Sequence, residues 1–253
     1  LEAAATIAVD AQDGYDSKPW VLPQGLITLN LTKGALVPFL SVESRLDNNG
    51  FRSMIMRNPY MIYHTLRIGN EEFKPGFFRN GASYDFRAGI KGAGGKVIYK
   101  VYAGFTMGKN QVMPVYTKSF YEETVFGGYT AAQEKRLNYF TVGGEVEAKL
   151  PAGFSAGLSA QYKSFDMKTF DHPSGMPELQ GGLFLKYAHR ERLFLRAGVE
   201  LIGGRYFLTA GPTVSTFEYE KEGLAADINI EAEYRLNRNL GVFIQGNNLA
   251  GAK

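Results

Sequence analysis

The chain has 253 residues, 45% of them hydrophobic and 21% charged, which is too apolar for a disordered tail and sized for one domain. Cysteine is absent, which excludes disulfide frameworks, thiolate metal sites and cysteine nucleophiles, and leaves three histidines and the carboxylates for any metal. The formal charge of +3 is scattered along the chain, so it offers no footprint for nucleic acid, and no apolar run approaches the roughly 20 residues of a membrane helix.

Residues 1–24 are expected to form an N-terminal arm and residues 25–253 the domain proper. Segments 26–32 and 36–46 alternate imperfectly between apolar and polar residues. From Ala82 the alternation is strict: Ala82, Tyr84, Phe86, Ala88 and Ile90 oppose Ser83, Asp85, Arg87, Gly89 and Lys91. That is the period of a strand with one apolar and one polar face. Val97, Tyr99, Val101, Ala103, Phe105 and Met107 form the next apolar row against Lys96, Lys100, Gly104 and Thr106, with Ile98 and Tyr102 breaking the polar row. Phe140, Val142, Gly144, Val146 and Ala148 oppose Thr141, Gly143, Glu145, Glu147 and Lys149. Phe154, Ala156, Leu158, Ala160 and Tyr162 then oppose Ser155, Gly157, Ser159, Gln161 and Lys163, with a hairpin across Leu150-Pro151-Ala152-Gly153. Leu193, Leu195, Ala197 and Val199 face away from Arg196, Gly198 and Glu200, and Ala226, Ile228, Ile230, Ala232 and Tyr234 away from Asp227, Asn229, Glu231 and Glu233. With weaker segments at 178–189 and 240–249, about ten strands are expected, most longer than the ~5–6 residues usual in soluble sheets. Helical periodicity is nowhere competitive.

The connections alternate in length. Tight turns fall at Thr32-Lys33-Gly34, Gly92-Ala93-Gly94-Gly95, 150–153, 188–191 and 236–238, and long stretches at 47–80, 108–136, 167–177 and 203–223. This is the plan of an all-β, up-and-down antiparallel barrel. Periodicity alone does not separate a soluble, lipocalin-like barrel or sandwich, its apolar rows inside, from an outer-membrane barrel with short periplasmic turns and long extracellular loops. Strand length and aromatic placement favour the second. Strands of this length match the ~9–11 residues needed to cross a bilayer at a tilt. Aromatic residues near strand ends, such as Phe140, Phe154, Tyr162, Tyr187 and Tyr234, fit an interfacial girdle. The expected location is therefore the cell outer membrane, with lipid against the apolar rows.

The polar rows then line a lumen. Arg87, Lys100, Glu145, Glu147, Lys163, Lys186, Arg196, Glu200, Asp227, Glu231 and Glu233 are the candidate binding residues, with Lys91, Arg192, Arg235 and Asp85 beside them. The near balance of signs predicts pairing across the lumen and a filled or narrow interior, not a strongly ion-selective pore.

Other constellations carry less. Asp171-His172 with Ser174 in an outer loop could activate water if a second carboxylate pair such as Glu122-Glu123 stood nearby, but a solvated turn before Pro173 explains it more simply. Asp47-Asn48-Asn49-Gly50 begins like a calcium loop, yet position 58 is Asn where a bidentate Glu belongs. Gly92 to Gly95 precede no helix and so make no phosphate cradle. No enzyme activity, cofactor or metal is expected. Loops rich in Met and aromatics, around Met54, Met56 and Met61 and at 112–129, are expected to dock a partner protein or fold into the barrel mouth.

One segment resembles a known family. Leu240-Gly241-Val242-Phe243-Ile244-Gln245-Gly246-Asn247-Asn248-Leu249 is similar to a late barrel strand of TonB-dependent receptors of Bacteroidetes-type bacteria, and Pro19-Trp20-Val21-Leu22-Pro23-Gln24-Gly25 and Asn58-Pro59-Tyr60 look like features of the same barrels. The resemblance implies an outer-membrane barrel for uptake or passage of a small solute of unknown identity. The family's plug domain and TonB-contacting segment have no counterpart in residues 1–24, and the closing strand is expected to be missing after Lys253. Two arrangements fit: the C-terminal part of a longer barrel, or a barrel-only relative. The alternative function is an accessory barrel that holds a partner protein at its loops or edge, and a surface protease-like barrel ranks behind both.

Overall fold

A computed structural model describes residues 2–10, 18–61, 66–68, 71–74, 78–121, 124–190, 192–210, 217–237 and 240–250. Strands β1 (Glu2–Asp10), β2 (Lys18–Thr28) and β3 (Val37–Asp47) are followed by helix α1 (Phe51–Arg57) and the small pair β4 (Leu66–Ile68) and β5 (Glu71–Phe73). Then come β6 (Gly81–Gly94), β7 (Val97–Tyr121), β8 (Thr124–Lys149), β9 (Phe154–Met167), β10 (Leu179–His189), β11 (Leu193–Gly203), β12 (Arg205–Ala210), β13 (Phe217–Glu222), β14 (Ala225–Arg235) and β15 (Gly241–Gly246). All but β4 and β5 join one 13-stranded sheet in the order β1-β2-β3-β6-β7-β8-β9-β10-β11-β14-β15, with β12 and β13 attached at one side.

Most of the expected strands and tight turns are present; the strand expected over 26–32 instead runs over Lys18–Thr28, and Arg238 of the turn expected at 236–238 lies outside the described residues. Left-handed backbone at Lys33 and Gly34, at Gly95, at Ala152 and Gly153, and at Arg190 marks the reversals that join strands on the short-turn side. Exposure follows the alternation: Phe86, Val101, Phe105, Val142, Val146, Leu158, Leu183 and Ile230 all lie bare on one face. In a soluble sheet these side chains would form a core, so the bare face is the one that lipid covers in a membrane barrel.

Four expectations are corrected. The arm expected over residues 1–24 is a hairpin, with β1 paired to β2 from Glu2↔Leu26 to Asp10↔Lys18. The long loop expected over 108–136 is strand: β7 and β8 keep one ladder from Val97↔Ala148 to Tyr121↔Thr124. Its alternation is blurred because Met113, Val115, Ala131 and Ala132 are buried beneath neighbouring loops, and a strand covered on both faces has no polar row. The loop at 203–223 holds the β12–β13 hairpin, and 47–80 holds α1, which at seven residues is too short to show a helical period.

The packed core sits at the long-loop end. Met54, Phe78, Met113, Val115, Ala131, Ala132, Leu137, Phe170 and Leu208 form it, from α1, the β7–β8 extension, the β9–β10 loop and β12. β12 crosses over to run parallel to the free edge of β7, Leu208 facing Val115, where β6 has already ended. Met54 and Met61 therefore fold inward over the mouth as one expectation held, while Met56 stands exposed.

Candidate lumen wall

The polar face of the sheet borders a cavity of about 1180 Å³, lined among others by Lys100, Glu145, Glu147, Arg196, Glu200 and Glu231. Arg87 lies in a second hollow of about 700 Å³, with Glu43, Asp85, Thr106 and Tyr139. The other expected residues are placed by register: Lys163 opposite Thr141, Lys186 opposite Arg196, Asp227 opposite Glu200 and Glu233 opposite Phe194.

The charges interact along the wall. Lys100 reaches Glu145 at 3.8 Å, and Lys186 reaches Glu147 at 3.4 Å across the intervening strand β9. Arg87 makes two hydrogen bonds to Asp85, at 3.1 and 2.5 Å. Like charges also stand directly opposite one another, Lys91 with Lys100, Lys186 with Arg196 and Glu200 with Asp227. Such like-charge pairs disfavour a ladder.

Aromatic rings set the relief of the wall. Phe39, Tyr102 and Phe184 each lie directly opposite a glycine: Gly89, Gly143 and Gly157. A Cβ on Gly143 would stand 2.6 Å from the Tyr102 ring, so the ring lies flat only because glycine leaves the space. From there the Tyr102 hydroxyl donates to Gln161 Oε1 at 2.8 Å, and Gln161 Nε2 donates to Gln180 Oε1 at 3.0 Å. This chain of hydrogen bonds spans β7 to β10. The Lys186 ammonium sits 4.3 Å from the centre of the Phe184 ring, with the Arg196 guanidinium at 5.8 Å. Tyr102, Gln161, Gln180 and Phe184 were not among the expected site residues. The break that Tyr102 and Phe184 make in an otherwise polar row, each facing a glycine on the next strand, was the available signal.

At the outer end, Asp171, His172 and Ser174 form no catalytic set. The His172 ring stacks on Tyr206 with centroids 3.8 Å apart and meets Tyr219 edge-on, and the buried Ser174 hydroxyl accepts the Leu208 amide at 3.1 Å. Glu122 and Glu123, the second pair such a site needs, and His64 lie outside the described residues.

Comparison with solved structures decides the fold. A structure of the ferric enterobactin receptor of Pseudomonas aeruginosa superposes with a TM-score of 0.60 at 11% identity, over 92% of this chain and 35% of the receptor. The fold is that of a TonB-dependent receptor barrel. The ferric yersiniabactin uptake receptor of Yersinia pestis gives 0.57 at 15% identity over 94% of this chain and 33% of its own. The copper transporter OprC gives 0.58 at 12% identity over 93% and 34%. The chain thus spans about a third of these barrel receptors, which are transport proteins and not enzymes. No family model and no curated protein matches it. In membrane barrels the apolar face meets lipid and the polar face the interior, and the alternation of apolar and charged residues on these strands is of that kind. The family-like segment at 240–249 forms β15 against β14, after which the Leu249 amide returns to the Ile228 carbonyl at 2.9 Å.

Proposed function

We propose that this chain forms part of an outer-membrane barrel that admits a small polar or charged solute, and that Arg87, Lys100, Glu145, Glu147, Lys163, Lys186, Arg196, Glu200, Asp227, Glu231 and Glu233 are its lumen contacts. The observation that carries this reading is the 1180 Å³ cavity bordered by both signs of charge, carboxamides and aromatic rings, with apolar residues such as Val146 and Leu183 also at its margin. The similar receptors are named for copper, ferric enterobactin and ferric yersiniabactin, and a small solute fits this reading.

The test is flux of graded solutes into proteoliposomes carrying the full protein. The expected result is a size-limited flux whose charge preference shifts when Glu145→Lys and Glu147→Lys are combined. A second reading, an accessory barrel that holds a partner at its loops, draws support from Met56 and Tyr60, exposed at 77% and 76% on the outer surface. Absence of flux together with a partner extracted in stoichiometric amount would favour that reading.

A further inference from the structure

The apolar band on the lipid face ends abruptly. On β7 the exposed outward row runs Val101, Ala103, Phe105, Met107 and then Lys109, and on β8 Val142 and Phe140 lead through Asn138 to Arg136. On β9, Leu158, Ala160 and Tyr162 lead through Ser164 and Asp166 to Lys168. Lys109 is directly opposite Arg136, and because the last pair of β8 and β9 is Leu137↔Met167, Lys168 follows at the level of Arg136. Lys109 and Arg136 thus stand on adjacent strands about 4.8 Å apart, and Lys168, one residue past the end of β9, completes a group of three cations at the outer boundary of the band.

This row is fixed from below. Glu134 Oε1 accepts the amides of both Arg136, at 2.9 Å, and Lys168, at 3.3 Å, so one buried carboxylate oxygen holds the two backbones together. Among the described residues the only acid paired to the row is Asp166, whose carboxylate lies 3.3 Å from Arg136. Lys109 and Lys168 make no ion pair with any described residue. Like charges opposed in a ladder repel, so an anion with several oxygens stabilises the arrangement. An occupant here lies where acyl chains meet headgroups.

We propose that Lys109, Arg136 and Lys168 seat the phosphate of an outer-leaflet lipid headgroup, whose acyl chains lie on the adjacent band. The proposal concerns the outer wall and is independent of what passes through the lumen. The full protein, extracted in mild detergent and stripped of lipid, is offered diphosphoryl lipid A, dephosphorylated lipid A and inorganic phosphate, with binding read by native mass spectrometry. Retention of the diphosphoryl form alone is expected. Combining Lys109→Ala with Lys168→Ala should weaken it about thirtyfold, and Lys109→Arg with Lys168→Arg should preserve it. Both lysines are exposed and unpaired, and Lys109→Gln alone, expected to cost about fivefold, serves if the double variant does not fold. Equal retention of dephosphorylated lipid, or unchanged binding by the alanine variant, overturns the proposal. Inorganic phosphate binding as well as lipid overturns the headgroup assignment in favour of a free-anion site.

Discussion

The Glu134 carboxylate accepts the amide hydrogen of Thr169 at 2.8 Å where the ladder between their strands has just ended. The same group takes the amides of Lys168 and Phe170 at 3.3 and 3.1 Å, so a side chain replaces the strand edge that β9 leaves behind. Buried amides without an acceptor each cost on the order of 1–3 kcal/mol, which makes this carboxylate the fastening of the outer loop to β8. Glu134→Ala is therefore expected to open the loop by about 3 kcal/mol, seen as roughly hundredfold faster trypsin cleavage after Lys168, with Glu134→Gln intermediate. An unchanged cleavage rate in Glu134→Ala would refute the fastening.

Tyr102 tests the wall in a different way. Because its ring occupies the space over Gly143, Gly143→Val must displace it and is expected to destabilise the barrel by about 1–3 kcal/mol. Tyr102→Phe keeps the packing and loses only the hydrogen bond to Gln161, a loss of about 1 kcal/mol. Urea unfolding in micelles would order the two, and a milder effect for Gly143→Val than for Tyr102→Phe contradicts the packing.

Much of the fold is legible in the sequence because a half-lipid-facing strand writes its two environments on alternate residues, as Phe86 and Arg87 or Val146 and Glu147 do. The β7–β8 extension is not legible, since Met113 and Val115 are enclosed by other loops and the contrast between faces disappears. Glu134 left no mark either: its partners are backbone amides, and any residue at 168–170 other than proline could supply them. The charged rows of the lumen wall could be listed in advance, but their ion pairs depend on register, which brings Lys186 to Glu147 over glycine at position 157.

The β12–β13 hairpin supplies a pH prediction. Burial pushes the Tyr219 hydroxyl above its ordinary value of 10.0, while the amides of Asp171 and His172, which hydrogen-bond to it, pull the other way. A group raised in the folded state contributes its stability fully below the unfolded value and loses it as pH climbs through the folded one. The 171–174 loop is accordingly expected to loosen above about pH 10, with Tyr219 contributing a late rise in tyrosinate absorbance. Tyr219→Phe should remove that late titration. If the alkaline absorbance curve is the same in the variant, the hydroxyl is not held as described.

The partition of faces has the sharpest consequence, because Glu145 and Val146 are adjacent and point to opposite environments. Val146 is 39% exposed, and Arg at a lipid-facing position costs about 2–4 kcal/mol near the midplane. Glu145→Gln loses only its 3.8 Å pair with Lys100, a partly solvated contact of about 0–1 kcal/mol. Val146→Arg is thus expected to lower the folded fraction in lipid vesicles strongly and Glu145→Gln hardly at all. A nitroxide at Val146 should relax with oxygen dissolved in lipid and not with a water-soluble reagent. Relaxation by the water-soluble reagent, with Val146→Arg tolerated, would mean that the apolar row does not face the bilayer.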